Sequence, residues 1–475
     1  MTNFDKYRQN INLIQRKYII AFVTYLMLSR SVLFVNIISQ GFNSILYAIF
    51  AIAGAFLVVG TVVIQNKDII NKWTLLLLIF CAVCGISCVL NFRYGIVNNV
   101  KTMVWLSIQF FVLFIVGYAT KEEWAKKFLC QIGKISSAIW FVGVMISLVQ
   151  FLFQVKYTAP FSEFRRRQGF VDSRLFGIFS DPNYAAVTSL VIIVFCYFLY
   201  KGAKRPIIKK YYLTNIIVQI LYIILSGSRT ALIEGVLLAF FLAYFEERNK
   251  RYLQGESRVK RKALCRGVIG ALLSVALIVT IPFPMKGIAK VGVSLRRLVL
   301  QDSEMDKEID LDREDVSLEN VSNNRTDIWA SALNVSKESR IFGLSPRNMI
   351  SYARENYPDS FIAETGYETH NGYLAVFVGV GVIGFGVMVT FAIFLVQAII
   401  KYVKRMQKNK YDDEVLLTFA IIALIAISTM MLQDIFFVNT YSAAIFWLFL
   451  GCLLNLLEPK GKRKNGKSES SCSGL

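Results

Sequence analysis

Roughly 17 to 25 apolar residues in a row recur about twelve times in this chain, the length that crosses a hydrocarbon core near 30 Å thick. That recurrence limits the fold more than any motif does. In lipid, each backbone amide must find its partner inside its own segment or in a closed barrel. Unbroken apolar blocks, rather than short alternating ones, select helices. The blocks fall at about 17–38, 44–65, 73–91, 100–119, 133–154, 182–200, 212–227, 230–245, 266–283, 372–400, 415–433 and 440–457. No small-residue cleavage site follows the first, which reads as an uncleaved helix. The expectation is an all-α, polytopic membrane protein of about twelve transmembrane helices.

Charge sets the orientation. The net charge of +21 would suit nucleic acid in a soluble protein, but here the lysines and arginines cluster in short connections, as cytoplasmic loops require. Basic stretches at about 201–210, 246–266, 401–410 and after Leu457 fall on one side if twelve crossings are counted. Both termini are then cytoplasmic, and nucleic acid is not an expected partner. The resulting division is 1–154 (helices one to five), 155–283 (helices six to nine, with an external 155–181 loop), 284–371 (one large external loop of short helices), 372–457 (helices ten to twelve) and a basic tail, 458–475.

Three features depart from that plan. Arg165, Arg166, Arg167 and Arg174 lie in a loop that the count places outside, where an anionic ligand would explain them. Ser226-Gly227-Ser228-Arg229-Thr230 joins two short blocks, so Arg229 belongs at the outer membrane surface, with Thr230 able to cap the next helix. An arginine there needs a partner or water; Glu234, one turn on, is the structural candidate. The acidic run Asp302 to Asp315 lacks the glycine of a calcium loop and reads as a solvated segment. The eight cysteines avoid the large loop and give no disulfide framework,. Cys81, Cys84 and Cys88 read as small thiols buried in one helix.

The remaining polar groups gather at one membrane face. Asp181-Pro182-Asn183 opens a block as a helix cap. Asn324-Arg325-Thr326-Asp327-Ile328-Trp329 reads as the start of an amphipathic helix, and Phe342-Gly343-Leu344 as a turn packed on it. His370, the only histidine, and Asn371 stand where the chain re-enters the membrane. No zinc spacing, phosphate-binding glycine loop or nucleophile elbow occurs. Several arginines, one histidine and capping acids around a membrane mouth suit a large anion such as a lipid diphosphate.

With these residues in view, the chain resembles the O-antigen ligase and polysaccharide polymerase superfamily of bacterial membrane glycosyltransferases. The matching pieces are Phe179-Ser180-Asp181-Pro182-Asn183, Ser226-Gly227-Ser228-Arg229-Thr230, Arg325 with Trp329, Phe342-Gly343-Leu344, and Thr369-His370-Asn371 followed by Gly379 and Gly381. Leu344 is followed by Ser345, a departure from the fuller G-x-G turn. The resemblance implies transfer of a glycan from an undecaprenyl-diphosphate carrier to a glycan acceptor, with no cofactor and no metal. It implies a bacterial cytoplasmic membrane location with the site facing outward. Carried over, the catalytic groups are Arg229, Arg325 and His370. Diphosphate or glycan binding falls to Arg165, Arg166, Arg167, Arg174, Asp181, Asn183, Asn371 and Tyr373. Glu234, Asp327, Glu364 and Glu368 are supporting groups.

Chemistry assigns the roles: guanidinium donors stabilise the leaving diphosphate, while His370 orients or deprotonates the attacking hydroxyl, which predicts inversion at the anomeric carbon. The favoured reading is polymerisation of lipid-linked repeat units into a surface or capsular polysaccharide. The alternatives are a ligase, which differs in its acceptor, and a lipid-linked oligosaccharide flippase, for which an internal repeat would be expected. Membrane lipids are partners on any reading; a separate flippase and a chain-length regulator are candidate partners of the polymerase.

Overall fold

The computed structural model describes residues 3–31, 40–64, 71–119, 122–158, 167–254, 259–300, 324–407, 409–432 and 435–458. Arg165, Arg166, the acidic run and the basic tail lie outside them.

The protein is an all-α, polytopic membrane protein. Its helices, in order, are α1 (Asn3–Leu28), α2 (Gln40–Ile64), α3 (Lys72–Leu90), α4 (Ile96–Ala119), α5 (Glu122–Leu152), α6 (Pro182–Gly202), α7 (Pro206–Ser226), α8 (Arg229–Leu253), α9 (Val259–Thr280), α10 (Pro282–Leu300), α11 (Arg325–Val335), α12 (Met349–Asn356), α13 (Phe361–Thr365), α14 (Gly372–Arg405), α15 (Asp413–Ser428) and α16 (Tyr441–Leu457). Among the described residues, eight helical stretches are long and apolar enough to cross a membrane. A helix occupies each of the twelve expected blocks, but α1 and α8 carry charged ends, and α15 and α16 are 16 and 17 residues long.

Two departures from the expected layout have clear causes. Residues that read as the start of the large loop form α10: Pro282 sits at its first position, where its missing N–H costs nothing, and the helix runs on to Leu300. Residues that read as loop also hold a three-stranded antiparallel meander of β1 (Lys156–Thr158), β2 (Arg167–Val171) and β3 (Arg174–Gly177). Asp172 and Ser173, both at positive φ, make the two-residue hairpin turn between β2 and β3,.

The core lies at the centre of the helix array, where α16 and the middle of α4 are buried. A π-helical turn, Gln109–Phe114, interrupts α4; its buried Gln109 donates to the carbonyl of Val438 at 2.8 Å. Close approach of α4 and α16 depends on small residues. A Cβ on Gly117 would lie 2.2 Å from the carbonyl oxygen of Leu448, and one on Gly451 2.1 Å from that of Phe114.

α11, α12 and α13 form a cap with a core of its own, in which Ala332, Val335, Leu344, Tyr352 and Ile362 pack with Val378 of α14. α14 is broken at Gly381 (φ 65°, ψ −169°). There its backbone leaves the helical ladder and pairs with the cap: Val382 N donates to Arg340 O at 2.8 Å, and Leu344 N to Val378 O at 2.8 Å. Gly343, also at positive φ, lies so close that a Cβ would be 2.5 Å from the carbonyl carbon of Gly379. Only glycine allows both the conformation and the contact.

The carbonyls freed by this break are met from α3. Ser87 Oγ donates to Gly379 O at 3.0 Å and accepts from Ser345 N at 3.0 Å, while Asn91 Nδ2 donates to Gly343 O at 3.0 Å. Asn99 continues the ladder, donating to Asn348 Oδ1 at 2.8 Å and accepting from Arg347 N at 3.0 Å. All three side chains are buried, so each bond is made away from competing water. The cap is thereby docked on the α3–α4 pair.

Candidate functional site

His370 is the residue just before the α14 N-cap. Asn371 fills that cap, its Oδ1 accepting from the amides of Tyr373 and Leu374. Gly372 N is held by Thr429 O at 2.8 Å, and Thr369 Oγ1 donates to Asn371 O at 2.9 Å. Between these anchors His370 takes φ 48°, a left-handed conformation that a side chain of this size adopts at a cost of about 1 kcal/mol or more. The anchors on either side impose it.

α11 delivers Arg325. Asn324, in the left-handed region, precedes the helix, and Arg325 is its first residue. Trp329, one turn on, donates Nε1 to the Thr369 carbonyl at 2.9 Å. This bond couples the α11 register to the His370 turn. Nη1 of Arg325 also contacts Met431 Sδ at 3.5 Å.

His370 keeps solvent exposure, and its ring lies 6.3 Å, centroid to centroid, from that of Tyr367. Burial depresses its pKa below the ordinary histidine value first, and the Arg325 charge adds to the depression; Asp181 and Glu368 oppose it. Arg325, Asp181 and Glu368 therefore all lie within electrostatic reach of His370. At neutral pH the ring is neutral, the form that accepts a proton.

Asp181 reaches this cluster from α6. Its Oδ1 caps the helix, accepting from Asn183 N at 2.7 Å and Tyr184 N at 3.3 Å. Arg174, on β3, bridges outward from there. Its Nη2 donates to Asn183 Oδ1 at 2.7 Å and its Nε to the Ser226 carbonyl at 2.9 Å, at the end of α7. Gly227, left-handed, closes α7, and Ser228 rather than Thr230 occupies the N-cap of α8. Arg229 follows as the first residue of α8. It is half-buried, and among the described residues it has no ion-pair or hydrogen-bond partner; it does not pair with Glu234, which is fully buried below it. Hydrogen bonds thus join Ser226, beside the Arg229 turn, through Arg174 and Asn183 to Asp181, whose charge is felt at His370 together with that of Arg325.

Other candidate residues sit apart or serve the scaffold. Arg167 pairs with Asp172 on the exposed hairpin. Tyr373, half-buried, donates its hydroxyl to Ala426 O at 2.8 Å. Asp327 and Glu364 are exposed on α11 and α13. Glu368 lies 3.6 Å from Arg347, and that guanidinium also donates to Phe437 O at 2.6 Å. Arg347 and Arg30 were not singled out by sequence reasoning. The backbone of Arg30 accepts from Ser180 N at 3.3 Å, and its guanidinium lies 5.1 Å from the Tyr184 ring centroid. With Asp181, Tyr184, Thr188, Thr440 and Ser442 it lines a small cavity. Arg30 lies within the first apolar block, two residues past the end of α1.

Below Arg229 the surface turns apolar. A groove of about 260 Å³ lies between α6, α7, α8 and α9, lined near its upper end by Ile223, Ala231 and Leu232 and further down by Leu190 and Leu273. Among the described residues no group of three or more His, Cys, Asp or Glu could hold a metal ion.

Residues 214–389 match the family model described as O-antigen ligase. The chain carries a domain of that family over these residues, which run from α7 into α14 and include Arg229, Arg325 and His370. Asp181 and Arg174 precede it. Comparison with curated proteins gives no match.

Proposed function

We propose that this protein is a membrane glycosyltransferase that polymerises undecaprenyl-diphosphate-linked oligosaccharide repeat units at the outer face of the cytoplasmic membrane, crossing it twelve times with both termini inside. The observation that carries the reading is the shared electrostatic environment of His370, Arg325 and Asp181, linked through Arg174 to the Arg229 turn. The family match over residues 214–389, which include Arg229, Arg325 and His370, supports it.

The reaction breaks the bond between the anomeric carbon of the donor glycan and its diphosphate oxygen, and forms a bond from that carbon to an acceptor hydroxyl oxygen. The diphosphate leaves with the bonding electrons. Arg229 and Arg325 are the donors that stabilise its growing charge, and they are always protonated at working pH. The isoprenoid chain of the carrier matches the apolar groove beneath Arg229, which supports a diphosphate held at the groove's upper end. The acceptor oxygen attacks from the opposite face and inverts the carbon, while its proton passes to His370. A depressed imidazole pKa keeps the base free at neutral pH. Asp181, near enough to be felt by the imidazole, steadies the imidazolium that results.

The family description names a ligase, which keeps a second reading open: the same donor chemistry with a terminal acceptor in place of another repeat unit. One reconstitution separates them. Purified protein in lipid receives a defined undecaprenyl-diphosphate repeat unit, with Arg229→Ala and His370→Ala as controls. A product ladder absent from both variants supports polymerisation at this site. Transfer only when a different surface acceptor is added supports a ligase.

A further inference from the structure

α8 starts at Arg229 and ends at Leu253, 25 residues later, about 36 Å away at 1.5 Å per residue. That far end holds a second charged site. A cleft of about 670 Å³ opens between α8 and α9, where Lys250, Arg251, Arg261, Lys262 and Arg266 surround a single carboxylate, Glu247. Glu247 is engaged by Arg251 one helical turn away. Among the described residues, Lys250, Arg261 and Arg266 have no ion-pair or hydrogen-bond partner. Several like charges facing one cleft repel one another unless an anion lies between them.

The cleft has a fixed shape because the helices that form it are locked together further along. A Cβ on Gly270 would lie 2.9 Å from the Ala239 carbonyl oxygen, and one on Gly267 2.9 Å from the Phe240 ring. The surface beyond the cations decides what kind of anion fits. Ile269, which lines the cleft, is 46% exposed, and Leu272 and Leu273, one helical turn further along α9, are 63% and 59% exposed. They lead from the basic cleft along an apolar stripe of membrane-crossing helix. A soluble anion would use only the cations. An amphiphile with an anionic head uses both.

We propose that this cleft binds the phosphodiester headgroup of an anionic glycerophospholipid, with its acyl chains laid along Ile269, Leu272 and Leu273. Basic pockets between helices at the cytoplasmic membrane surface recognise such headgroups. The site is at the opposite end of α8 from Arg229 and stands apart from the glycosyl-transfer reading.

The test uses the full chain in detergent and native mass spectrometry with phosphatidylglycerol and phosphatidylcholine at equal concentration. The wild type is expected to retain the anionic lipid about tenfold or more over the zwitterionic one. A triple variant, Lys250→Ala with Arg261→Ala and Arg266→Ala, loses that preference. Lys286→Ala with Lys290→Ala and Arg297→Ala removes as much charge from α10 and retains it. Cys265, exposed beside the cleft, supplies a readout on the wild type itself: phosphatidylglycerol slows maleimide labelling of its peptide and phosphatidylcholine does not. The proposal is overturned if the first triple variant keeps the preference, if the α10 variant loses it equally, or if Cys265 labelling ignores lipid type. Displacement of the lipid by soluble glycerophosphate at equal concentration overturns it too, since the apolar stripe would then contribute nothing.

Discussion

Trp329 and Thr369 are joined by a 2.9 Å hydrogen bond from the indole Nε1 to the backbone carbonyl. The donor lies one turn after Arg325, and the acceptor lies one residue before His370. Two proposed catalytic groups from distant parts of the sequence are therefore set against each other by a residue that does no chemistry. Trp329→Phe keeps most of the ring and removes the donor. A net hydrogen bond contributes about 1 kcal/mol, so kcat should fall about three- to tenfold with KM little changed. Steady-state kinetics of the reconstituted enzyme checks this; an unchanged kcat would show that the bond does not position the site.

His370 is the only histidine, so isotope-labelled imidazole gives one titration curve without assignment. Its midpoint should lie below that of a free histidine, because burial and then Arg325 depress it. Replacing Arg325 with Gln removes a depressing charge and raises the midpoint. Asp181→Asn or Glu368→Gln removes an opposing charge and lowers it. The acid limb of kcat/KM should follow the wild-type midpoint; a limb at the ordinary histidine value would separate the activity from this ring.

Gly343→Ala should destabilise the protein by about 2 kcal/mol or more, since the new Cβ meets the Gly379 backbone at 2.5 Å in a positive-φ conformation,. Gly386→Ala is the matched control in the same broken helix, with nothing within 4 Å of its Cβ. Thermal unfolding in detergent should show a lowered transition for the first and none for the second.

Ser87→Ala leaves the Ser345 amide without its buried acceptor and the Gly379 carbonyl without its donor. Each such orphan costs about 1 to 3 kcal/mol. Amide exchange across Gly343–Ser345 should accelerate, while the centre of α16 keeps its protection. Uniform acceleration would instead mean that the whole bundle had loosened.

The helices were legible because membrane spans announce themselves by length, and the capping chemistry of Asp181 and Asn371 reads directly from residue type. Other contacts left no such trace. Ser87 and Asn91 are ordinary small polar residues in a mostly apolar run, and only the folded chain brings them to Gly343 and Gly379. Arg30 and Arg347 resemble any basic residue near a membrane end until their neighbours are known. The β meander escaped because its strands are three to five residues long, shorter than a periodic pattern needs.

The ladder from Ser87 through Asn91 to Asn99 has a consequence for modularity. The cap and most of α14 belong to the family-matched segment 214–389, but their dock belongs to α3 and α4, far upstream. Transplanting the matched segment into a relative's helices would move the lock without its keyhole. A functional chimera of this protein must exchange residues 87–99 together with the segment they hold.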